Sequence, residues 1–113
     1  NLSDQMKPPK LRVVVFQGGD WLCAQCLEYD LGTQARTLEA LLADLQRVIW
    51  GHIAICAEND LKPFSMLRRA PKKYWDMFRR SKICLPPHTF GFKVSRRGVK
   101  LPRPEIRVAP VAA

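Results

Sequence analysis

Two cysteines three positions apart, Cys23 and Cys26, form the first pattern in the chain that could carry chemistry. A C-x-x-C spacing occurs in zinc sites and in redox-active disulfides. The surrounding run from Trp21 to Leu27 is typical of a β-strand, and side chains three apart on a strand point to opposite faces. Because ligands on opposite faces cannot share one metal, we predict structural thiols, with no metal site and no redox chemistry.

The other side chains suited to catalysis are isolated from one another. His52 falls on a helical pattern between apolar positions, where we expect a packed histidine rather than a general base. Glu28 and Asp30 lie two apart at a strand end, without a third acid or a histidine near them in sequence, and are interpreted as solvent-facing acids. The chain is therefore predicted not to be an enzyme, and no cofactor is expected.

Basic side chains are a sharper feature than any catalytic pattern. Residues 1–60 hold five Lys and Arg against eight Asp and Glu, whereas residues 61–113 hold fourteen against two, so the second half accounts for the net charge of +9. Interleaved aromatic residues suit RNA, because phosphates meet cations while bases stack on rings, although we expect most of these rings to fill the core. Nucleic-acid contacts are predicted at Arg68, Arg69, Lys72, Lys73, Arg79, Arg80, Arg96 and Arg97. The alternative is a basic surface that only keeps the protein soluble.

The hydrophobic pattern of the first half predicts a hairpin followed by a long helix. Short β-rich runs separated by turn residues, including Gly18-Gly19-Asp20, predict three strands, over 11–17, 21–28 and about 32–35. Apolar residues then recur at helical spacing, so a helix is predicted from the N-cap Thr37 to about Glu58, with Gly51 interpreted as a close-packing position. Its core face is predicted to bury Leu41, Leu45, Val48 and Ile49 against Val13, Val15, Leu22 and Ala24.

The second half is predicted to hold one short helix and a tail of strands. Pro71 suits the first turn of a helix that reaches about Lys82 and turns Tyr74, Trp75 and Phe78 to its apolar face. Prolines then separate β-like pieces over 90–94, 99–101 and 105–109.

Length and composition indicate one globular domain. With 113 residues, 47% of them hydrophobic and 26% charged, the chain can bury a real core, and a fully disordered chain is excluded. No apolar run approaches the roughly 18 residues of a membrane helix, so no membrane partner is expected. No signal peptide is visible, which predicts a cytoplasmic protein with reduced thiols. Met6 is a candidate start, with residues 1–5 a remnant or an extension.

Residues 11–58 carry a family pattern. A hairpin is entered at Asp20-Trp21, a strand ends in a Cys26-Leu27 step, and a polar bend leads into the helix start Thr37-Leu38-Glu39-Ala40. In these features the chain resembles the HicB-like family, the antitoxin half of HicA/HicB toxin–antitoxin pairs, although its helix start is one acid shorter. Residues 61–113 depart from the family members that end in a helix-turn-helix or ribbon-helix-helix tail, and are similar to the tail of stand-alone HicB-like proteins.

The resemblance implies an α+β fold in which an antiparallel β-meander packs on one long helix, as in a partial ribonuclease-H-like or double-stranded-RNA-binding-like arrangement. The short second helix and the Pro-rich β-like tail complete the predicted fold. We expect a single domain over 1–113, with a HicB-like core over 11–58 and a basic C-terminal extension over 61–113. The function implied is that of a non-catalytic antitoxin-type protein that binds and occupies a small partner, a HicA-type toxin, and forms a homo-oligomer. The alternative is a non-specific RNA-binding module that uses the basic half. A nuclease is disfavoured because the acids that would converge on its metal ions are missing.

Overall fold

Two helices lie on opposite faces of a five-stranded sheet. The structure is a computed structural model, and it describes residues 10–86, 92–96 and 98–110. Its elements in chain order are β1 (Arg12–Gly18), β2 (Trp21–Cys26), β3 (Gly32–Ala35), α1 (Leu38–Glu58), α2 (Lys72–Arg80), β4 (Ile83–Leu85), β5 (Ser95–Arg96), β6 (Val99–Lys100) and β7 (Glu105–Val108). The predicted α+β class is confirmed.

The sheet is mixed, with strand order β3-β2-β1-β7-β4. Strands β1, β2 and β3 form the predicted antiparallel meander. Strand β7, predicted as part of a tail, instead pairs in parallel with β1, with Val13 opposite Ile106, and β4 completes the sheet as an antiparallel neighbour of β7. The sheet is therefore mixed rather than wholly antiparallel, because the C-terminal half adds β7 in parallel with β1 and β4 antiparallel to β7.

Strand β1 is covered on both faces, which is why it carries three consecutive valines. Val13 and Val15 lie in the core formed with α1, whereas Val14 lies in a second cluster with Leu27 and Phe78 of the α2 side. Alternate residues of a strand point to opposite faces, so a strand buried on both sides becomes continuously apolar. All three valines are at most 1% exposed.

Helix α1 begins and ends as the sequence predicts. Thr37 is its N-cap, and the Thr37 hydroxyl accepts a hydrogen bond from the Ala40 amide at 3.2 Å. Its apolar stripe packs on the sheet, where Leu41, Leu45 and Ile49 are fully buried and Val48 is only half-buried. By length and composition, α1 is also long and apolar enough to cross a membrane, a property that core helices of soluble proteins share.

A short ribbon lies beside α1, on the side of the sheet away from α2. Strands β5 and β6 pair with each other, and Leu101, just after them, is buried in the α1 core together with Phe92. The indole Nε1 of Trp50 donates a hydrogen bond to the Lys93 carbonyl at 3.3 Å. The ribbon and the residues that flank it are therefore joined to α1 rather than to α2.

Gly51 does not serve close packing, so that interpretation is wrong. It is exposed, and a Cβ at this position would meet nothing within 4 Å. Because glycine inside a helix lowers stability by roughly 0.5–1 kcal/mol relative to alanine, Gly51→Ala is expected to raise the free energy of unfolding by about that amount. Urea denaturation followed by circular dichroism measures the change. A destabilised variant would contradict the open environment of this position.

Candidate nucleic-acid interface

The chain that leads into α2 is tied to the end of β2, which positions the first basic residues. The Asp30 amide donates to the Arg68 carbonyl at 2.8 Å, and the Ala70 amide donates to the Leu27 carbonyl at 2.9 Å. Ala70 is buried, whereas Arg68 and Arg69 just before it are exposed. The two arginine side chains therefore project from a backbone segment that is hydrogen-bonded to the end of β2. Pro71 then stands at the N-cap of α2 with φ −56°, as suits proline at a helix start.

Helix α2 is amphipathic, and its basic side faces away from the sheet. Phe78 is buried against Val14 and Leu27, while Tyr74 and Trp75 are half-buried at the margins of the same cluster. This outcome confirms the expectation that most of the aromatic residues serve packing. The cationic residues of the helix are all exposed: Lys72, Lys73, Arg79 and Arg80. Together with Arg69 they form what we call the α2 basic surface.

Aromatic rings contact two cations of the α2 basic surface, and also Arg12 beside it. The Arg69 guanidinium lies 4.1 Å from the centroid of the Trp75 ring, and the Arg12 guanidinium lies 4.9 Å from the same centroid. The Lys73 ammonium lies 4.9 Å from the centroid of the Tyr74 ring. A cation at this distance is attracted by the ring quadrupole. The rings of α2 thus also orient cations, a role beyond the alternatives of core packing and base stacking that the sequence offers.

One acid faces the α2 basic surface. Asp76 pairs with Lys72 at 3.5 Å and with Arg79 at short range. In the part of the chain that the structure describes, Lys73 and Arg80 have no carboxylate within salt-bridge distance. Exposed ion pairs of this kind contribute little to stability, so the surface keeps an excess of positive charge.

The N-terminal turn of α2 concentrates that positive charge. The turn contains no acidic residue, and no side chain caps it. A helix N-terminus carries a partial positive charge and unsatisfied amides, so lysines at positions 72 and 73 oppose the helix dipole. Helix stability therefore does not explain these two lysines, whereas an anion bound at the turn would be stabilised by both the amides and the ammonium groups.

Two arginines that were not predicted as site residues make contacts beside α2. Arg12 bonds through Nε to the Glu28 carboxylate at 2.5 Å, so Glu28 is a half-buried ion-pair partner and the interpretation of it as a solvent-facing acid is wrong. Arg107 donates from Nη1 to the carbonyls of Phe78 and Ser81 at 3.2 and 3.3 Å, which satisfies the C-terminal end of α2. Helix α2 ends at Arg80, two residues before the predicted end at about Lys82.

The structure brings together some of the predicted nucleic-acid contacts and separates others. Arg69, Lys72, Lys73, Arg79 and Arg80 share one surface, and Arg68 is exposed just before them. Arg96 lies on β5, in a groove with Arg47 and Trp50 on the α1 side of the sheet. Arg97 lies outside the described residues. Sequence alone could not separate Arg96 from the set, because the path of the ribbon depends on its packing against α1.

The cysteines occupy separate environments. Cys26 is fully buried in the α1 core, whereas Cys23 lies opposite Phe16 on the α2 face, so the predicted division between faces is confirmed. Burial, reinforced by the negative charge of Glu28, raises the pKa of the Cys26 thiol to about 12. Such a thiol stays protonated at neutral pH, and thiols react and bind metals as thiolates. Across the described ranges, no three His, Cys, Asp or Glu residues lie close enough to hold a metal ion.

His52 packs as the sequence predicts. Its Nε2 lies 3.4 Å from the Cys56 sulfur, and its ring stacks on Phe64 with 5.6 Å between the centroids. Tyr29 stacks on the same ring at 4.1 Å, and burial followed by the charge of Glu28 raises the pKa of its hydroxyl. These residues close the end of the α1 core.

Comparison of the chain with protein families, with curated proteins and with solved structures gives no match.

Proposed function

We propose that the chain is a non-catalytic nucleic-acid-binding module that holds RNA through the α2 basic surface. The observation that carries the proposal is the cationic N-terminal turn of α2, where Lys72 and Lys73 add their charge to the positive end of the helix dipole. Arg69 adjoins that turn on a tied backbone and is oriented by Trp75. Preorganised cations of this kind bind phosphate with little loss of side-chain entropy.

The binding is electrostatic and tolerant of sequence. Lysine and arginine contacts to phosphates release counterions, so they supply affinity without distinguishing bases. None of the described elements has the form of a helix-turn-helix reader, because α2 has nine residues and packs on the sheet rather than on another helix. The cytoplasm is the compartment that the proposal requires, since RNA and reduced thiols occur there together.

The substitution Lys73→Glu tests the proposal without harming the fold. Lys73 is exposed and has no carboxylate partner in the described part of the chain, and an acid in the first turn of a helix adds about 0.3–1 kcal/mol of stability through the dipole. We therefore expect the variant to unfold at an equal or higher temperature while its affinity for a mixed RNA pool falls about tenfold at low salt. Calorimetry and fluorescence anisotropy measure the two quantities. Unchanged affinity for RNA would contradict a role of α2 in the interface.

We propose the HicB-like, antitoxin-type function as a second candidate. The residues on which the resemblance rests lie at the hairpin (Asp20 and Trp21), at the end of β2 (Cys26 and Leu27) and at the cap of α1 (Thr37), which supports this candidate. The meander, the helix and the parallel return of β7 beside β1 support a ββ(β)αβ layer of the partial ribonuclease-H-like kind. The partner in this case is a small RNA-cleaving toxin of the HicA type, bound through packed apolar contacts that tolerate salt.

The two candidates differ in a measurable way. An antitoxin-type module blocks RNA cleavage by its toxin at a one-to-one ratio and keeps doing so at high salt, whereas a phosphate-binding module loses its ligand there.

Self-association is part of the antitoxin-type proposal. Edge strand β4, where Ile83 is 59% exposed, is the part of the described sheet that supports it.

A further inference from the structure

Half of one sheet face is left uncovered next to α2. Helix α2 packs against β1, and the same face continues across β2 and β3 as two rows of paired residues. One row runs from Phe16 through Cys23 to Gln34, and the other runs from Val14 through Gln25 to Gly32. Gln34 and Gly32 at the outer ends are exposed, so no element of the described chain covers this part of the sheet.

A shallow cavity of about 360 Å³ opens over these rows. Phe16 and Tyr74, whose ring centroids lie 5.7 Å apart, form its apolar wall, and its polar lining is uncharged. Ligand cavities commonly measure roughly 300–1,000 Å³ and combine apolar walls with a few polar groups. The site is therefore shaped for a flat ligand that is aromatic on its faces and hydrogen-bonding at its edges.

The two glutamines of the site offer both kinds of hydrogen-bonding group. Gln25 Nε2 is held by the Cys26 carbonyl at 3.1 Å and by Asp30 Oδ1 at 2.8 Å, so its amide is fixed with Oε1 above Gly32. Oε1 lies 2.8 Å from the place where a Cβ on residue 32 would stand, and glycine thus leaves room for this orientation. Gln34 is exposed, and its amide can donate and accept at once.

The cavity adjoins the α2 basic surface through one side chain pair. Tyr74 forms part of the cavity wall, and Lys73 lies 4.9 Å from the centroid of the Tyr74 ring. A phosphate held at Lys73 would therefore place the attached nucleoside over β2 and β3. Unpaired RNA bases are recognised in this manner, by stacking and by hydrogen bonds to their edges.

We propose that the open face of β2 and β3 is a binding site for an unpaired base of single-stranded RNA. The inference rests on the proposed function, because the phosphates of the same strand lie on the α2 basic surface. It adds a preference that the cations alone do not give: single strands bind more tightly than duplexes, since a base in a duplex keeps its edge paired and its faces stacked.

An abasic ligand separates the two sources of affinity. The probe is a mixed-sequence single-stranded RNA of about ten nucleotides, compared with an oligonucleotide of the same length whose riboses lack bases. Both carry the same phosphates, so the α2 basic surface binds them equally. We expect the abasic strand, and a duplex of the probe, to bind about tenfold more weakly at low salt, because stacking and hydrogen bonding to the base are lost.

Substitutions on the sheet then test whether the base-dependent part of the affinity arises there. Gln34→Ala is expected to weaken binding of the intact strand several-fold and to leave abasic binding unchanged. Gln17→Ala is the matched control, because Gln17 lies on β1 away from the cavity and bonds its own turn at Gly19. Gly32→Ala is a second variant that tests the same site, since the added methyl group displaces the Gln25 amide. Circular dichroism verifies the fold of each variant.

The outcomes distinguish this site from the function on which it rests. Equal affinity for intact and abasic strands overturns the base site while the α2 basic surface keeps its role. Absence of binding to both strands at low salt overturns the proposed function and the base site together. Weakened binding of both strands by Gln34→Ala would show that the substitution acts on the surface as a whole, which also contradicts a base site.

Discussion

Charge reversal at Arg79 and Arg80 is expected to reduce the affinity for every RNA sequence alike, by about tenfold or more at low salt. Both side chains are exposed on the α2 basic surface, and reversal replaces attraction of phosphate by repulsion. The slope of affinity against salt should also flatten, because fewer counterions are released. Arg79 pairs with Asp76, so part of any loss of stability in the double variant comes from that contact and is followed separately by thermal unfolding.

A double substitution on the other side of the sheet is the matched control. Arg47 and Arg96 line one groove beside α1, and replacing both by glutamate changes the net charge by the same amount. If binding depends on the α2 basic surface, this control weakens it only slightly through the long-range field, which salt screens. Equal losses in the two double variants would mean that affinity follows net charge, and the α2 basic surface would have no special role.

Leu45→Ala is expected to lower the free energy of unfolding by roughly 2–5 kcal/mol. Leu45 is fully buried in the α1 core against the sheet, so its removal costs transfer free energy and leaves a cavity. Ile55→Ala on the same helix is the control, since Ile55 is 61% exposed and an exposed substitution changes stability within about 0.5 kcal/mol. Urea denaturation measures both. Similar small losses in the two variants would contradict the burial of this helix face.

The parts of the fold that were predicted correctly are those set by local pattern. Gly19 takes a φ of +63° in the turn between β1 and β2, which glycine adopts freely, and the flanking strands alternate as a hairpin requires. Thr37 caps α1 and the leucine stripe follows at helical spacing. In these segments propensity, capping and burial all favour one structure, and prediction succeeds where such signals agree.

The parts that were missed depend on contacts between distant residues. Strand β7 pairs with β1 across more than 90 positions, and its four residues carry no signal that names their neighbour. β4 was not predicted as a separate strand, since Ile83–Leu85 is short and lies at an edge. The role of Arg107 at the end of α2 likewise requires the sheet order, which places β7 beneath that helix.

The candidate site was predicted in part, for the same reason. Charge pairs in the second half indicated a basic surface, and helical spacing put four of its cations on one helix. The sequence held no sign that Arg12 stacks over Trp75 beside Arg69, because that contact crosses from β1 to α2. Nor did it show the open face of β2 and β3, because that face depends on the packing of α2 against β1.

One titration tests the central claim that the α2 basic surface holds nucleic acid. The purified chain is titrated into a mixed single-stranded RNA pool at about 50 mM and about 200 mM salt, with anisotropy as the readout. Binding at the lower concentration that weakens steeply at the higher one is the result that phosphate contacts to several cations predict. Absence of binding at about 50 mM salt would contradict the claim, and the positive charge of α2 would then be a solvated surface.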